Sequence, residues 1–171
     1  MPGRSVLVSE VSERPSPVLL VNPRNEDHAS LQSLFRGSRW KLQGAWTASD
    51  GLKAIRRNRY EIPVVICERC LPDGDWKLLL AELDKAAVRP SLIVSSRVAD
   101  VRLWAEVLNL GAFDLLLSPP FVPEEVLRVT ESAWPAWNSA VRPIAVARKD
   151  PGLARSLAHS GTRALAAGNY I

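Results

Sequence analysis

The segment Pro63 to Trp76, PVVICERCLPDGDW, carries a carboxylate at the end of an apolar run. Val64, Val65 and Ile66 are β-branched, the run is too short for a helix, and Pro63 and the turn Leu71-Pro72-Asp73-Gly74 bound it. It therefore reads as a buried strand ending near Cys67. Glu68 then stands at the carboxyl end of a central strand, where open α/β sheets place their reactive groups. Cys67-Glu68-Arg69-Cys70 offers a second chemistry, because a C-x-x-C can be a redox pair or part of a metal site. A redox pair normally opens a helix, which lowers the pKa of its first thiol, whereas Cys67 ends a strand. A zinc site needs four ligands, and His28 and His159 are the only histidines.

The elements that must position Glu68 follow a repeating pattern. Val18-Leu19-Leu20-Val21 is a continuous apolar run closed by Asn22-Pro23, as a buried parallel strand requires. Asn25 or Asp27 can cap the helix after it, with Leu31, Leu34 and Phe35 on one face and Gly37 at its end. Trp40 to Thr47 alternates through Leu42 and Trp46, an edge-strand pattern. Ser49 or Asp50 caps a second helix whose Leu52 and Ile55 oppose Lys53, Arg56 and Arg57. After the Glu68 strand, Asp75 caps a third helix with Trp76, Leu79, Leu80 and Leu83 in one stripe and Leu78 pointing away. Leu92-Ile93-Val94 forms a fourth strand closed by Ser95-Ser96, and Val98 to Leu110 a fourth helix ended by Gly111. Phe113 to Leu117 is a fifth strand, Pro119-Pro120 breaks the chain, and Pro123-Glu124-Glu125 opens a fifth helix.

Five β-then-α units imply right-handed crossovers and a parallel sheet covered on both faces. The expected fold is a flavodoxin-like (βα)5 doubly wound sheet with strand order 2-1-3-4-5. In that order strands one and three are neighbours, so Asn22, Pro23 and Glu68 converge on one cleft. Residues 1–16 mix Ser, Pro, Arg and Glu without periodicity and read as a flexible leader. Residues 17–134 form the domain, and residues 135–171 read as a basic, disordered tail with a short helix possible from Asp150-Pro151.

The chain has 171 residues, 47% of them hydrophobic, enough for one globular core. No apolar run approaches the roughly 20 residues a membrane span needs, and Glu10 interrupts the short apolar stretch near the amino terminus, so the expected compartment is the cytoplasm. Residues 1–134 hold 17 Lys+Arg and 17 Asp+Glu, so the net charge of +4 belongs to the last 37 residues. Five cations spread over that length are sparse for nucleic acid or an anionic membrane, and neither is expected as a partner.

VVICERCLPDGDW, together with GAFDLLLSPP from Gly111 to Pro120, resembles the receiver domains of two-component response regulators over about residues 17–134. That resemblance implies a non-enzymatic signalling module. It also implies a cleft in which an acidic pair after strand one and an acceptor aspartate after strand three hold magnesium during phosphoryl transfer from a phosphohistidine. A hydroxyl residue after strand four and a lysine after strand five contact the phosphoryl group. On this sequence the acceptor position is Glu68 and the acidic pair is Asn22 and Pro23. The hydroxyl position is Ser95, the lysine position is Ser118 and the switch aromatic is Leu115. Ser118-Pro119 matches a step that is often cis in the family.

Only the hydroxyl is kept, so the resemblance implies a degenerate or pseudo-receiver with weak or absent magnesium binding and no aspartyl phosphorylation. Its implied partners are a histidine kinase or a downstream effector, or a second copy through the helix 4, strand 5, helix 5 face. Trp104 is the candidate contact on that face, the alternative being that it folds against the core. Two other readings stay open: a conventional phosphorelay receiver modified at Glu68 or Ser95, and a remote one in which the C-x-x-C is redox-active or binds metal.

Overall fold

The computed structural model describes residues 15–58 and 61–149. The chain runs β1 (Ser16–Val21), α1 (Asn25–Leu34), β2 (Trp40–Ala45), α2 (Ala48–Arg57), β3 (Val64–Glu68), a small hairpin of β4 (Cys70–Leu71) and β5 (Gly74–Asp75), α3 (Trp76–Leu83), β6 (Ser91–Ser96), α4 (Val101–Asn109), β7 (Asp114–Leu117) and α5 (Pro123–Lys149). The five longer strands are all parallel, in the order β2-β1-β3-β6-β7. With the hairpin set aside, this is the expected 2-1-3-4-5 order.

Strand alternation splits the core into two layers. Leu19, Val21, Val65, Cys67, Leu92 and Val94 face α2, α3 and α4, where Ile55, Trp76, Leu79, Leu83, Leu103 and Val107 meet them. Val18, Leu20, Val64, Ile66 and Ile93 face α1 and α5, against Leu31, Phe35, Val126 and Val129. A central strand apolar at every position is what burial on both faces requires. The α3 stripe is buried as its spacing predicts, and Leu78 is exposed.

Helix starts depart from expectation at three places. Thr47, rather than Ser49 or Asp50, caps α2, its side chain accepting from the Asp50 N–H. The same helix end is held from outside by Asp73 of the hairpin, whose carboxylate accepts from the Ala48 N–H, the Ser49 N–H and the Ser49 hydroxyl at 2.6, 2.9 and 2.6 Å. Those bonds hold Asp73 below its ordinary pKa, the Ser49 hydroxyl first. Neither Asn25 nor Asp27 caps α1: Arg24 stands at the cap without a side-chain bond. Finally α4 begins three residues later than Val98, because Asp100 accepts from the Leu103 N–H at 2.7 Å and starts the helix there.

At the opposite edge of the sheet Arg39 ties β2 to α5. Its guanidinium lies 4.7 Å from the Trp40 ring and 4.1 Å from the Trp134 ring and pairs with Glu131, which also accepts from Trp40 Nε1 at 2.7 Å. Helix α5 passes through the boundary drawn at residue 134 without a break and continues to Lys149. The leader, except its last two residues, and the tail from Asp150 onward lie outside the described residues.

An ion-pair cluster fastens α2 to α3. Arg56 donates to both oxygens of Glu82 at 3.0 and 3.2 Å, and Lys85 donates to Oε2 at 3.1 Å. The Arg56 bonds, aided by Lys85, pull the Glu82 carboxyl from 4.5 down to about 2. A depressed carboxyl stabilises the fold above its unfolded value, and this contribution fades as pH drops from 4.5 towards 2. In urea titrations Glu82→Gln is expected to lower the unfolding midpoint at neutral pH and to match the parent near pH 2. Equal midpoints at neutral pH would show that the cluster contributes nothing.

Candidate functional site

The carboxyl edge of the sheet gathers Asn22 after β1, Glu68 at the end of β3, Ser95 on β6 and Ser118 after β7. Parity puts all four on the side of α1 and α5, since they continue the alternation of Leu20, Ile66, Ile93 and Leu116. All four are buried. Glu68 pairs with Ser95 in the strand register, and the Ser95 hydroxyl donates to Glu68 Oε2 at 3.1 Å. Burial raises the Glu68 carboxyl above 4.5; the Ser95 bond opposes that rise and the nearby Asp27 charge adds to it.

Asn22 turns towards α1 instead of Glu68. Its Nδ2 donates to Asp27 Oδ2 at 2.9 Å, its Oδ1 accepts from the Arg24 N–H at 2.9 Å, and its backbone carbonyl accepts from His28 Nε2 at 2.8 Å. The His28 ring in turn stacks on Trp46, centroids 4.5 Å apart. Asp27 is thus a buried carboxylate of the cleft, 3% exposed, and not the helix cap that its position suggests. Arg97, just beyond β6, reaches it across the mouth, with Nη2 at 3.4 and 3.3 Å from the two carboxylate oxygens. Arg97 did not stand out in the sequence, and Asp27 did so only as a candidate helix cap. An acid on the first helical turn reads as a dipole partner, and Arg97 lies 70 positions away from it.

The remaining positions do not join this network. Pro23 is half-buried and supplies no charge. Ser118 has no hydrogen-bond partner for its hydroxyl, although its N–H donates to Ser96 O at 3.0 Å. The Ser118-Pro119 bond is cis, as is Pro119-Pro120. Leu115 is buried on the α2, α3, α4 side, and Trp104 is 52% exposed on α4. The two cysteines do not pair: Cys67 Sγ packs in the core, where burial pushes its thiol far up, and Cys70 is exposed on the hairpin.

No family model and no curated protein sequence matches the chain. Solved structures do. The signal receiver domain of an HD domain-containing protein from Pseudomonas fluorescens Pf-5 is 27% identical, covering 74% of this chain and 98% of its own, with a TM-score of 0.63. The signal receiver domain of a Luxo repressor protein from Vibrio parahaemolyticus superposes at 0.64 with 20% identity, over 71% of this chain and 90% of its own. The fold is that of response-regulator receiver domains. A receiver-fold chain in the CheX-CheY-BeF3-Mg+2 complex from Borrelia burgdorferi also matches, at TM-score 0.64 and 18% identity, over 70% of this chain and 89% of its own.

The magnesium ion that the receiver resemblance implies does not fit the donors present here. Magnesium demands an octahedral oxygen shell at about 2.0–2.1 Å. The Asn22 amide is committed to Asp27 and Arg24, Asp27 faces a guanidinium, Glu68 is bonded to Ser95, and Pro23 has no side-chain oxygen to offer. Among the described residues no group of three or more His, Cys, Asp or Glu side chains could hold an ion.

The raised Glu68 carboxyl makes a pH prediction. The folded protein keeps that proton to higher pH than the unfolded chain, so the stability linked to it is full below 4.5 and is lost as pH climbs through the folded value. Glu68→Gln keeps an acceptor for Ser95 and removes the charge. It is expected to melt a few degrees above the parent at neutral pH, with the gap closing below 4.5. A variant that melts lower at neutral pH would show the ionised carboxylate to be favourable.

Proposed function

We propose that the chain is an atypical receiver, a pseudo-receiver that serves as a protein-interaction module in two-component, phosphorelay signalling and works without magnesium-dependent aspartyl phosphorylation. The observation that carries this reading is the state of the two cleft carboxylates. Glu68 is buried and bonded to Ser95, and Asp27 is bonded to Asn22 and paired with Arg97. A phosphoryl group brings roughly −1.5 to −2 charge and needs cations directed at it. Ser118 supplies none, Arg97 is paired with Asp27, and the cation whose charge reaches Glu68, Arg24, is exposed at the rim.

Output in this reading passes through the face of α4, β7 and α5. Val101, Trp104 and Leu108 recur at one helical face and are 85%, 52% and 36% exposed, while Leu103 and Val107 turn inward. Leu117 of β7 adds a further exposed apolar side chain, 55% exposed. A kinase, an effector or a second copy docks there by burying those side chains. The Borrelia neighbour was solved as a complex, which supports docking as a mode of action for the fold. The cytoplasm is the proposed compartment. Among the described residues no helix is long and apolar enough to cross a membrane.

Incubation with acetyl phosphate and magnesium, followed by intact mass measurement, tests the proposal. No change in mass is expected. A gain of one phosphoryl group, mapped to Glu68 or Ser95, would instead establish the conventional phosphorelay reading.

A further inference from the structure

We infer that Arg97 is the resident cation of Asp27, a positioning residue that neutralises this buried carboxylate without a bound ion and clamps the β6–α4 connection to α1. The inference rests on the proposed reading of the cleft as one that works without magnesium. Asp27 and Glu68 are both buried and their charges oppose each other. Two carboxylates held in a buried site need a positive partner or must give up their charge. Among the described residues Arg97 is the one cation within salt-bridge distance of Asp27. Its guanidinium faces both carboxylate oxygens, while Asn22 Nδ2 supplies a further donor to Oδ2. The planar fork and fixed charge of arginine suit it to this place.

The clamp holds the segment that starts α4. Ser96 Oγ donates to Val98 O at 2.7 Å and lies 3.3 Å from the Val98 N–H, and Asp100 then caps α4. Arg97, Ser96 and Asp100 together pin a four-residue connection that leads directly into the exposed Val101, Trp104 and Leu108. Asp27 sits on α1, whose backbone is set by β1 and Asn22. The cleft and the docking face are therefore joined by one ion pair that needs no phosphoryl group to form, where a phosphorylated site would make its pair on demand.

A double-mutant cycle in the full chain tests this, with Arg97→Gln, Asp27→Asn and the two combined, each melted at neutral pH. Arg97→Gln leaves Asp27 buried and unpaired, and its melting temperature is expected to fall by about 5–10 °C. Adding Asp27→Asn to it recovers much of that loss, which is the signature of coupling between the two residues. Arg97→Lys retains the charge without the fork and melts between the parent and Arg97→Gln. Should Arg97→Gln fail to fold, a folded double variant still supports the clamp, and failure of both overturns it. Absence of coupling between the two residues also overturns it. The acetyl phosphate experiment separates the two claims. A mass gain with the coupling intact removes the phosphate-free reading and keeps the clamp, and no mass gain with no coupling does the reverse.

Discussion

Trp76→Ala is expected to cost about 3–5 kcal/mol of folding stability, the range for truncating a large buried aromatic. Small domains are stable by about 5–15 kcal/mol in total, so this one change removes a large share. Trp76 is 2% exposed and opens α3, packed in the layer that also holds Cys67, Leu71 and Leu79. Its N–H points to Arg69 O at 3.4 Å, closing the connection that leaves Glu68. The cavity left by alanine lies beneath the hairpin that carries Asp73, so the end of α2 loses support as well. Urea unfolding followed by fluorescence or circular dichroism measures the effect as a lower midpoint at unchanged slope. A loss below about 1 kcal/mol would show that the site collapses around the missing ring and that Trp76 is not the anchor of this layer.

Trp104→Glu is expected to weaken docking tenfold or more while leaving the melting temperature nearly unchanged. Large aromatic side chains at the centre of an interface often carry 2 kcal/mol or more each, and about 1.4 kcal/mol is already a factor of ten. Trp104 is half exposed on a face shared with Val101 and Leu108, so its removal costs little of the core held by Leu103 and Val107. The measurements are affinity capture of binding partners on the immobilised chain and sedimentation for self-association, each with parent and variant. Unchanged binding in both would remove the α4 face from the proposed function. A large drop in melting temperature would show instead that the ring supports the fold.

Much of the architecture was legible because it depends on short-range rules. Val18 to Val21, Val64 to Ile66 and Leu92 to Val94 are apolar at successive positions, which only a strand buried on both faces tolerates in this setting. The α3 stripe follows from spacing alone, and the strand order follows from right-handed crossovers and the receiver resemblance. Helix caps were read less well. Thr47, Ser49 and Asp50 are all competent caps in sequence, and the choice among them fell to the hairpin, which brings Asp73 against the Ala48 and Ser49 N–H groups. Asp100 starts α4 for a related reason. Ser96 holds Val98 in a local turn and keeps it out of the helix.

The cleft divides in the same way. An acid at the end of an apolar run identified Glu68, the receiver resemblance added Ser95, and strand parity sufficed to put them on one side of the sheet. Parity likewise directs Cys67 into the opposite layer, an outcome the C-x-x-C spacing does not reveal. Asp27 and Arg97 could not be found that way. They lie on different elements, 70 residues apart, and meet only because β1, β3 and β6 stack in register and end at one edge. Local pattern determines which segments become strands and helices, since propensity and periodicity act over a few residues. Which charges neutralise which depends on distances across the sheet, and the tertiary structure alone decided that the cleft of this receiver fold carries its own cation.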